Sequence, residues 1–149
     1  MVLVGPPGAG KTTVGQLVAA RLAVPFRDTD TDVAHRAGKP VLDIFVDDGE
    51  EAFRALEREA VAAALAEHPG VAEAAVIGLP DERKGEVPVA VIRGHHGACP
   101  DEAELIAWAK ERMADYKVPG QIRFVEELPR TGTDKVQKAK LKELFGAGQ

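Results

Sequence analysis

Nine residues near the start of the chain have the types and spacing for phosphate chemistry. Gly5-Pro6-Pro7-Gly8-Ala9-Gly10-Lys11-Thr12-Thr13 fits the pattern G-x-x-x-x-G-K-[ST]. The glycines let the backbone bend so that N–H groups, Ala9 included, turn inward on phosphate oxygens. A helix that begins near Gly10 adds its positive end. Lys11 has the length and charge to reach β- and γ-phosphates, and the Thr12 hydroxyl is a hard oxygen donor suited to Mg²⁺. Farther on, Asp28-Thr29-Asp30 sets two carboxylates one residue apart. On a strand end they suit Mg²⁺ and a hydroxylated substrate. At a helix start they suit capping, with Asp30 or Thr31 as the cap of a helix over 32–37. The residues by themselves leave both readings open.

These groups need elements to hold them. Met1 to Val4 is a short apolar segment, and Val14, Leu17, Val18 and Leu22 fall on one helical face, so strand, glycine loop and helix follow in order. Val24 to Arg27 reads as a short strand. Gly38 ends the next helix, Val41 to Val46 is an apolar cluster, and Asp47-Asp48-Gly49 is a turn. Glu50 to Glu67 reads as one long helix, with Phe53, Leu56, Ala60, Ala64 and Leu65 in a stripe. Arg54 and Glu57 lie one turn apart on it. In the second half, Val71 to Gly78 and Val87 to Ile92 read as strands joined by a short polar connection. A parallel crossover needs a dozen or more residues, so these two strands should pair antiparallel. Asp101 with Glu104 marks a helix start, Ile122 to Val125 a third strand, and Lys138 to Phe145 a terminal helix.

The chain has 149 residues, a formal net charge of −5 and one cysteine, Cys99. That length suits one domain or two small ones, and the acidic balance argues against a nucleic-acid partner. A single cysteine permits no disulfide within the chain, and no apolar run approaches the ~20 residues of a membrane helix. These features predict a cytoplasmic protein with no membrane partner, of undetermined oligomeric state. His95, His96 and Cys99 lack a further ligand at metal-site spacing and read as a surface loop. Lys138, Lys140 and Lys142 read as a solvated helix face.

The first half resembles shikimate kinase. The resemblance rests on the phosphate loop, Asp28-Thr29-Asp30, Asp43-Ile44-Phe45 and Asp48-Gly49-Glu50-x-x-Phe53-Arg54-x-x-Glu57, over about residues 1–68. It implies ATP-dependent phosphorylation of the shikimate 3-hydroxyl, with ATP and Mg²⁺ as cofactors and shikimate or a similar small hydroxy acid as substrate. It favours the ligand reading for both aspartates: Asp28 near the metal, Asp30 as acceptor of substrate hydroxyls and as base. It implies that Lys11 is catalytic, that Gly5, Gly8, Ala9, Gly10, Lys11, Thr12 and Thr13 hold nucleotide, that Arg54 holds the substrate carboxylate and that Glu57 orients it. The family's triple-glycine segment, its lid arginine and its second carboxylate-binding arginine have no counterpart downstream.

The second half resembles the C-terminal domain of AMP-forming acyl-CoA synthetases and ligases. His68-Pro69-Gly70-Val71 through Asp81, Gly85 to Ala90, Tyr116-Lys117-Val118-Pro119, Leu128-Pro129-Arg130-Thr131 and Lys135-Val136-x-Lys138 carry that likeness. It implies that Lys135 takes part in adenylate formation. Asp134 stands where that family usually has glycine, and the family's large N-terminal domain is missing. The chain thus looks like a chimera: a phosphate-loop segment over 1–68 and a ligase-like domain over 69–149. The expected fold class is α/β, a truncated phosphate-loop kinase-like βα unit followed by a small α+β domain with a three-stranded sheet. The leading expectation is an ATP-Mg-binding protein of shikimate kinase type with impaired turnover. The alternatives are a ligase-type accessory module and an inactive chimera.

Overall fold

A computed structural model describes residues 3, 10–24, 26, 28–113 and 117–146. Its elements in chain order are α1 (Lys11–Leu22), α2 (Thr29–Ala37), α3 (Val41–Asp47), α4 (Gly49–Ala66), β1 (Val71–Asp81), β2 (Gly85–Gly94), α5 (Glu102–Arg112), β3 (Gln121–Phe124) and α6 (Lys138–Gly146). The result is a mixed α/β fold, with a helical part over the first four elements followed by a small domain around a three-stranded sheet.

The sheet has the order β1-β2-β3. β1 and β2 run antiparallel, with Val76 opposite Ala90 and Ile77 opposite Val89. The short polar connection forces this pairing, as expected. β3 then adds parallel to β2, with Ala90 opposite Ile122. Side chains alternate across the sheet. Val76, Ala90 and Ile92 face a core with Val61, Ala64 and Leu65 of α4 and Leu105 and Ala109 of α5. Ala75, Ile77, Leu79, Val89 and Val91 face the other way, onto Leu128 and onto Leu141 of α6. Both faces are covered, which is why these strands read as nearly unbroken apolar runs.

α4 serves two cores. Its C-terminal half packs on the sheet, and Trp108 Nε1 of α5 donates to its Ala64 carbonyl at 3.2 Å. Its N-terminal half, through Phe53, Leu56 and Ala60, packs with Val33 of α2 and Ile44 of α3. The rings of Phe45 and Phe53 lie 4.3 Å apart between centroids. The Asp101 cap forms as the spacing predicts, its Oδ1 accepting from Glu104 N at 2.8 Å. Gly38 ends α2 with φ 69°, a conformation that favours glycine.

Several expectations are corrected. The apolar face predicted for α1 is not its buried face. Leu17 is 65% exposed and Leu22 61%, while Gly15 and Ala19 are buried. Phe26 is the reason, since its ring lies where a Cβ on Gly15 would be. Val24 and Phe26 form no strand. Val24 N instead bonds back to Ala19 O at 3.1 Å, and Phe26 packs on α1. The 41–46 cluster is helix α3, in which Ile44 is buried and Val46 is 77% exposed. β1 does not stop at Gly78 but runs to Asp81 through Pro80. It is an edge strand, where proline's missing N–H leaves no ladder bond unmade. Lys138 and Lys142 are not merely solvated, for they reach Glu59 at 3.4 Å and Glu86 at 3.8 Å. The strand expected over 1–4 falls on residues of which only Leu3 is described, and Leu3 is not in a strand.

The β1–β2 turn is organised by Asp81, whose Oδ1 accepts from Lys84 N at 2.8 Å and Arg83 N at 2.9 Å. The Lys84 N–H bond, then the Arg83 one, holds this carboxyl below its ordinary 3.8. A lowered native value means stability that is present above about pH 3.8 and lost as pH falls through the native value. The variant Asp81→Asn should lose this component. Urea midpoints at about pH 7 and about pH 3 check it, the wild-type midpoint falling further than the variant's. Equal falls would show that the turn is held otherwise.

Candidate functional site

Gly10, the residue that leads into α1, has φ 76° and ψ 15°. In that left-handed position glycine is favoured, and it turns the chain directly into the helix. Val14 N bonds to Gly10 O at 3.0 Å, so the N–H groups of Lys11, Thr12 and Thr13 belong to the first turn, where no intrahelical acceptor exists. Gly5, Gly8 and Ala9 lie outside the described residues.

Thr12 Oγ1 donates to Asp28 Oδ2 at 2.6 Å, across sixteen residues of sequence. The other oxygen, Asp28 Oδ1, accepts from Thr31 N at 3.4 Å at the start of α2, and Asp32 N bonds to Asp28 O at 3.0 Å. Capping therefore falls to Asp28 rather than to Asp30 or Thr31, and α2 starts earlier than predicted, at Thr29. Capping and facing the loop helix are also not exclusive, because one carboxylate does both with its two oxygens. Sequence spacing alone cannot reveal this, because Thr12 and Asp28 are sixteen residues apart and meet only in the folded chain. Asp30 sits in the first turn of α2, with its side chain outside the described residues.

The oxygen pair fits Mg²⁺ in kind. This small hard cation takes one or two protein oxygens and keeps waters or phosphate oxygens for the remainder. Among the described residues no group of three or more His, Cys, Asp or Glu could hold a metal by protein ligands alone.

Arg54 stands in the second turn of α4. Its Nε and Nη2 donate to Glu50 Oε1 at 3.0 and 2.5 Å, and this contact raises its pKa above the ordinary arginine value. Glu57, one turn on, lies 3.7 Å from Lys117 Nζ, whose side chain is buried. The pairing with Glu50 was missed because i−4 and i+3 neighbours look alike in sequence.

Lys135 is exposed in a tight loop closed by an Arg130–Val136 bridge. Thr131 N bonds to Lys135 O at 2.7 Å, and Asp134 has φ 62°. That left-handed conformation explains why glycine would suit position 134, and aspartate is among the residues that tolerate it. Arg130 Nη1 donates to Asp134 O at 2.9 Å. Arg130 also pairs with Glu73 of β1, which accepts from Arg93 Nε at 2.9 Å. The structure thus unites Thr12 with Asp28, sets Arg54 at the start of α4, and ties the Lys135 loop to β1.

The family model described as AMP-binding enzyme C-terminal domain matches residues 60–135, just over half of the chain. The chain belongs to that family. A 2-succinylbenzoate–CoA ligase of Geobacillus kaustophilus is 47% identical over 103 residues, 69% of this chain and 20% of the ligase. The solved structure of ATP bound MatB from Rhodopseudomonas palustris superposes with a TM-score of 0.58 at 35% identity, over 60% of this chain and 18% of that one. The shikimate kinase family model matches residues 7–77. A shikimate kinase of Saccharopolyspora erythraea is 70% identical over 70 residues, 47% of this chain and 40% of the kinase. The chain therefore spans about two fifths of that kinase and one fifth of that ligase. The two family models overlap at 60–77, the end of α4 and most of β1. Among the described residues no helix is long and apolar enough to cross a membrane.

Proposed function

We propose that this chain binds ATP with Mg²⁺ through residues 5–13, in the manner of a shikimate kinase, with impaired turnover, in the cytoplasm. The observation that carries the reading is the Thr12–Asp28 contact at the start of α1. It brings two hard oxygen donors to the helix end that the glycine loop feeds. Thr12 and Asp28 would hold Mg²⁺, which when bound offsets phosphate charge. Lys11 and the first-turn N–H groups bind phosphate oxygens. Asp30 accepts from a substrate hydroxyl and takes its proton, and Arg54 holds the carboxylate of shikimate or a similar small hydroxy acid, with Glu57 orienting it. The kinase-like segment is taken as 1–68 and the ligase-like domain as 69–149. In the second segment Lys135 keeps the position implied for adenylate chemistry. The ordered Arg130–Glu73 tether of its loop favours, as a second reading, an accessory module whose binding loop remains formed.

Lys11→Ala tests the first reading. Calorimetry with ATP and Mg²⁺ should show affinity reduced about tenfold or more, the loss of one charge-assisted bond. Equal heats for wild type and variant, or none for either, would remove the proposal.

A further inference from the structure

The β1–β2 turn comes up against the first turns of α4 and leaves a cleft between them. Glu50, Glu51 and Arg54 line one side, and Lys84, Gly85 and Glu86 the other. Beside it, Arg58, with its side chain only 14% exposed, pairs with Glu86 and lies 3.8 Å from Glu51. Lys142 lies 3.8 Å from Glu86. Four cations, Arg54, Arg58, Lys84 and Lys142, thus meet three carboxylates, Glu50, Glu51 and Glu86. Glu51 and Glu86 are tied to Arg58, which leaves Glu50 as the carboxylate on Arg54. Its Oε1 takes both Nε and Nη2, the edge of the guanidinium that a bidentate carboxylate uses. The Asp81 bond to Lys84 N anchors the backbone that carries Lys84 to the rim.

We propose that this cleft is a carboxylate site built jointly by α4 and the β1–β2 turn, in which Arg54 and Lys84 hold the ligand's carboxylate and Glu50 occupies Arg54 until the ligand displaces it. This rests on the reading of Arg54 as a carboxylate-holding residue and adds two residues to it, one helper and one competitor. The ligand class is a small monocarboxylate, since the cleft has room for one further negative charge before its charges balance. Glu50 lowers affinity twice over, by filling the arginine fork and by repelling a second carboxylate beside it.

The test is a titration of the full chain with shikimate and with its methyl ester, followed by calorimetry. Glu50→Gln should bind shikimate about five- to tenfold tighter than wild type, since one ion pair and one like charge are removed. Lys84→Ala should bind about fivefold more weakly, and the ester should bind far less well than the acid. Glu51→Gln removes a charge from the same cleft without freeing Arg54, and should change affinity by less than about twofold. The proposal falls if Glu50→Gln stays within about twofold of wild type, if Glu51→Gln matches it, if Lys84→Ala has no effect, or if no variant binds. A failure of the underlying reading looks different, with Arg54→Ala leaving shikimate affinity unchanged. If Arg54→Ala removes binding while the Glu50 and Lys84 variants bind as wild type does, the reading of Arg54 stands and the shared site does not. All these side chains are on the surface, and unchanged circular dichroism would confirm that each variant folds.

Discussion

Given ATP, Mg²⁺ and shikimate, the protein is expected to release ADP at least about 10³-fold more slowly than a full-length shikimate kinase. Phosphoryl transfer depends on positioning and on cations that stabilise charge as it develops. The proposed site supplies the first turn of α1, Thr12 and Asp28. The resemblance to shikimate kinase implies an arginine from a lid as well, and the kinase match ends at residue 77, where the ligase-like strands take over. The second half has arginines, but several have other work. Arg93 and Arg130 are held by Glu73, and Arg130 also by Asp134. Arg112 lies over the Trp108 ring at 3.2 Å from its centroid and pairs with Glu111 at 3.3 Å. Moving any of them to a phosphate would first break those contacts. Loss of such an arginine costs about 10³–10⁵ in rate in related transfers. A coupled ADP-release assay decides the matter, and turnover near that of a complete kinase would show that another cation has taken the role.

The second large effect is on stability. Leu65 is fully buried near the end of α4, in the core it shares with Val71, Val76, Ile92, Leu105 and Met113. Truncation to alanine removes its burial and leaves a cavity lined by both strands and helices, which have little freedom to collapse. Leu65→Ala is expected to lower unfolding free energy by about 2–5 kcal/mol, read as a fall in urea midpoint at constant m. Leu42, 73% exposed on α3, is the contrast, and Leu42→Ala should stay within about 0.5 kcal/mol. A Leu65 variant as stable as the Leu42 one would mean that α4 is not packed on the sheet as described.

The two variants also mark how far the sequence reaches. The stripe on α4, the Asp101 cap with Glu104, the Gly38 stop and the antiparallel β1–β2 pair were legible because each depends on neighbours a few residues away. Asp134 was legible as an anomaly, a residue where glycine is usual, and its φ of 62° gives the cause. The apolar residues of α1 were legible as a face, but a period of 3.6 says only that they share a side, not what covers it. Phe26 instead chose the side of Gly15 and left Leu17 in water.

The sequence by itself determined the phosphate-loop pattern, the long helix, the hairpin and the presence of two family segments, since all are written in local spacing. Tertiary structure alone decided three further things. Asp28 both caps α2 and meets Thr12, because its two oxygens are addressed by groups from different helices. Arg54 turns to Glu50 while Glu57 turns to Lys117, because a residue elsewhere in the chain competes for one of two equivalent helix neighbours. The β1–β2 turn places Lys84 beside Arg54, because the C-terminal half of α4 packs on the sheet and brings residues thirty positions apart to one cleft. Local preference sets which backbone forms; only burial of the faces those backbones share sets which side chains meet.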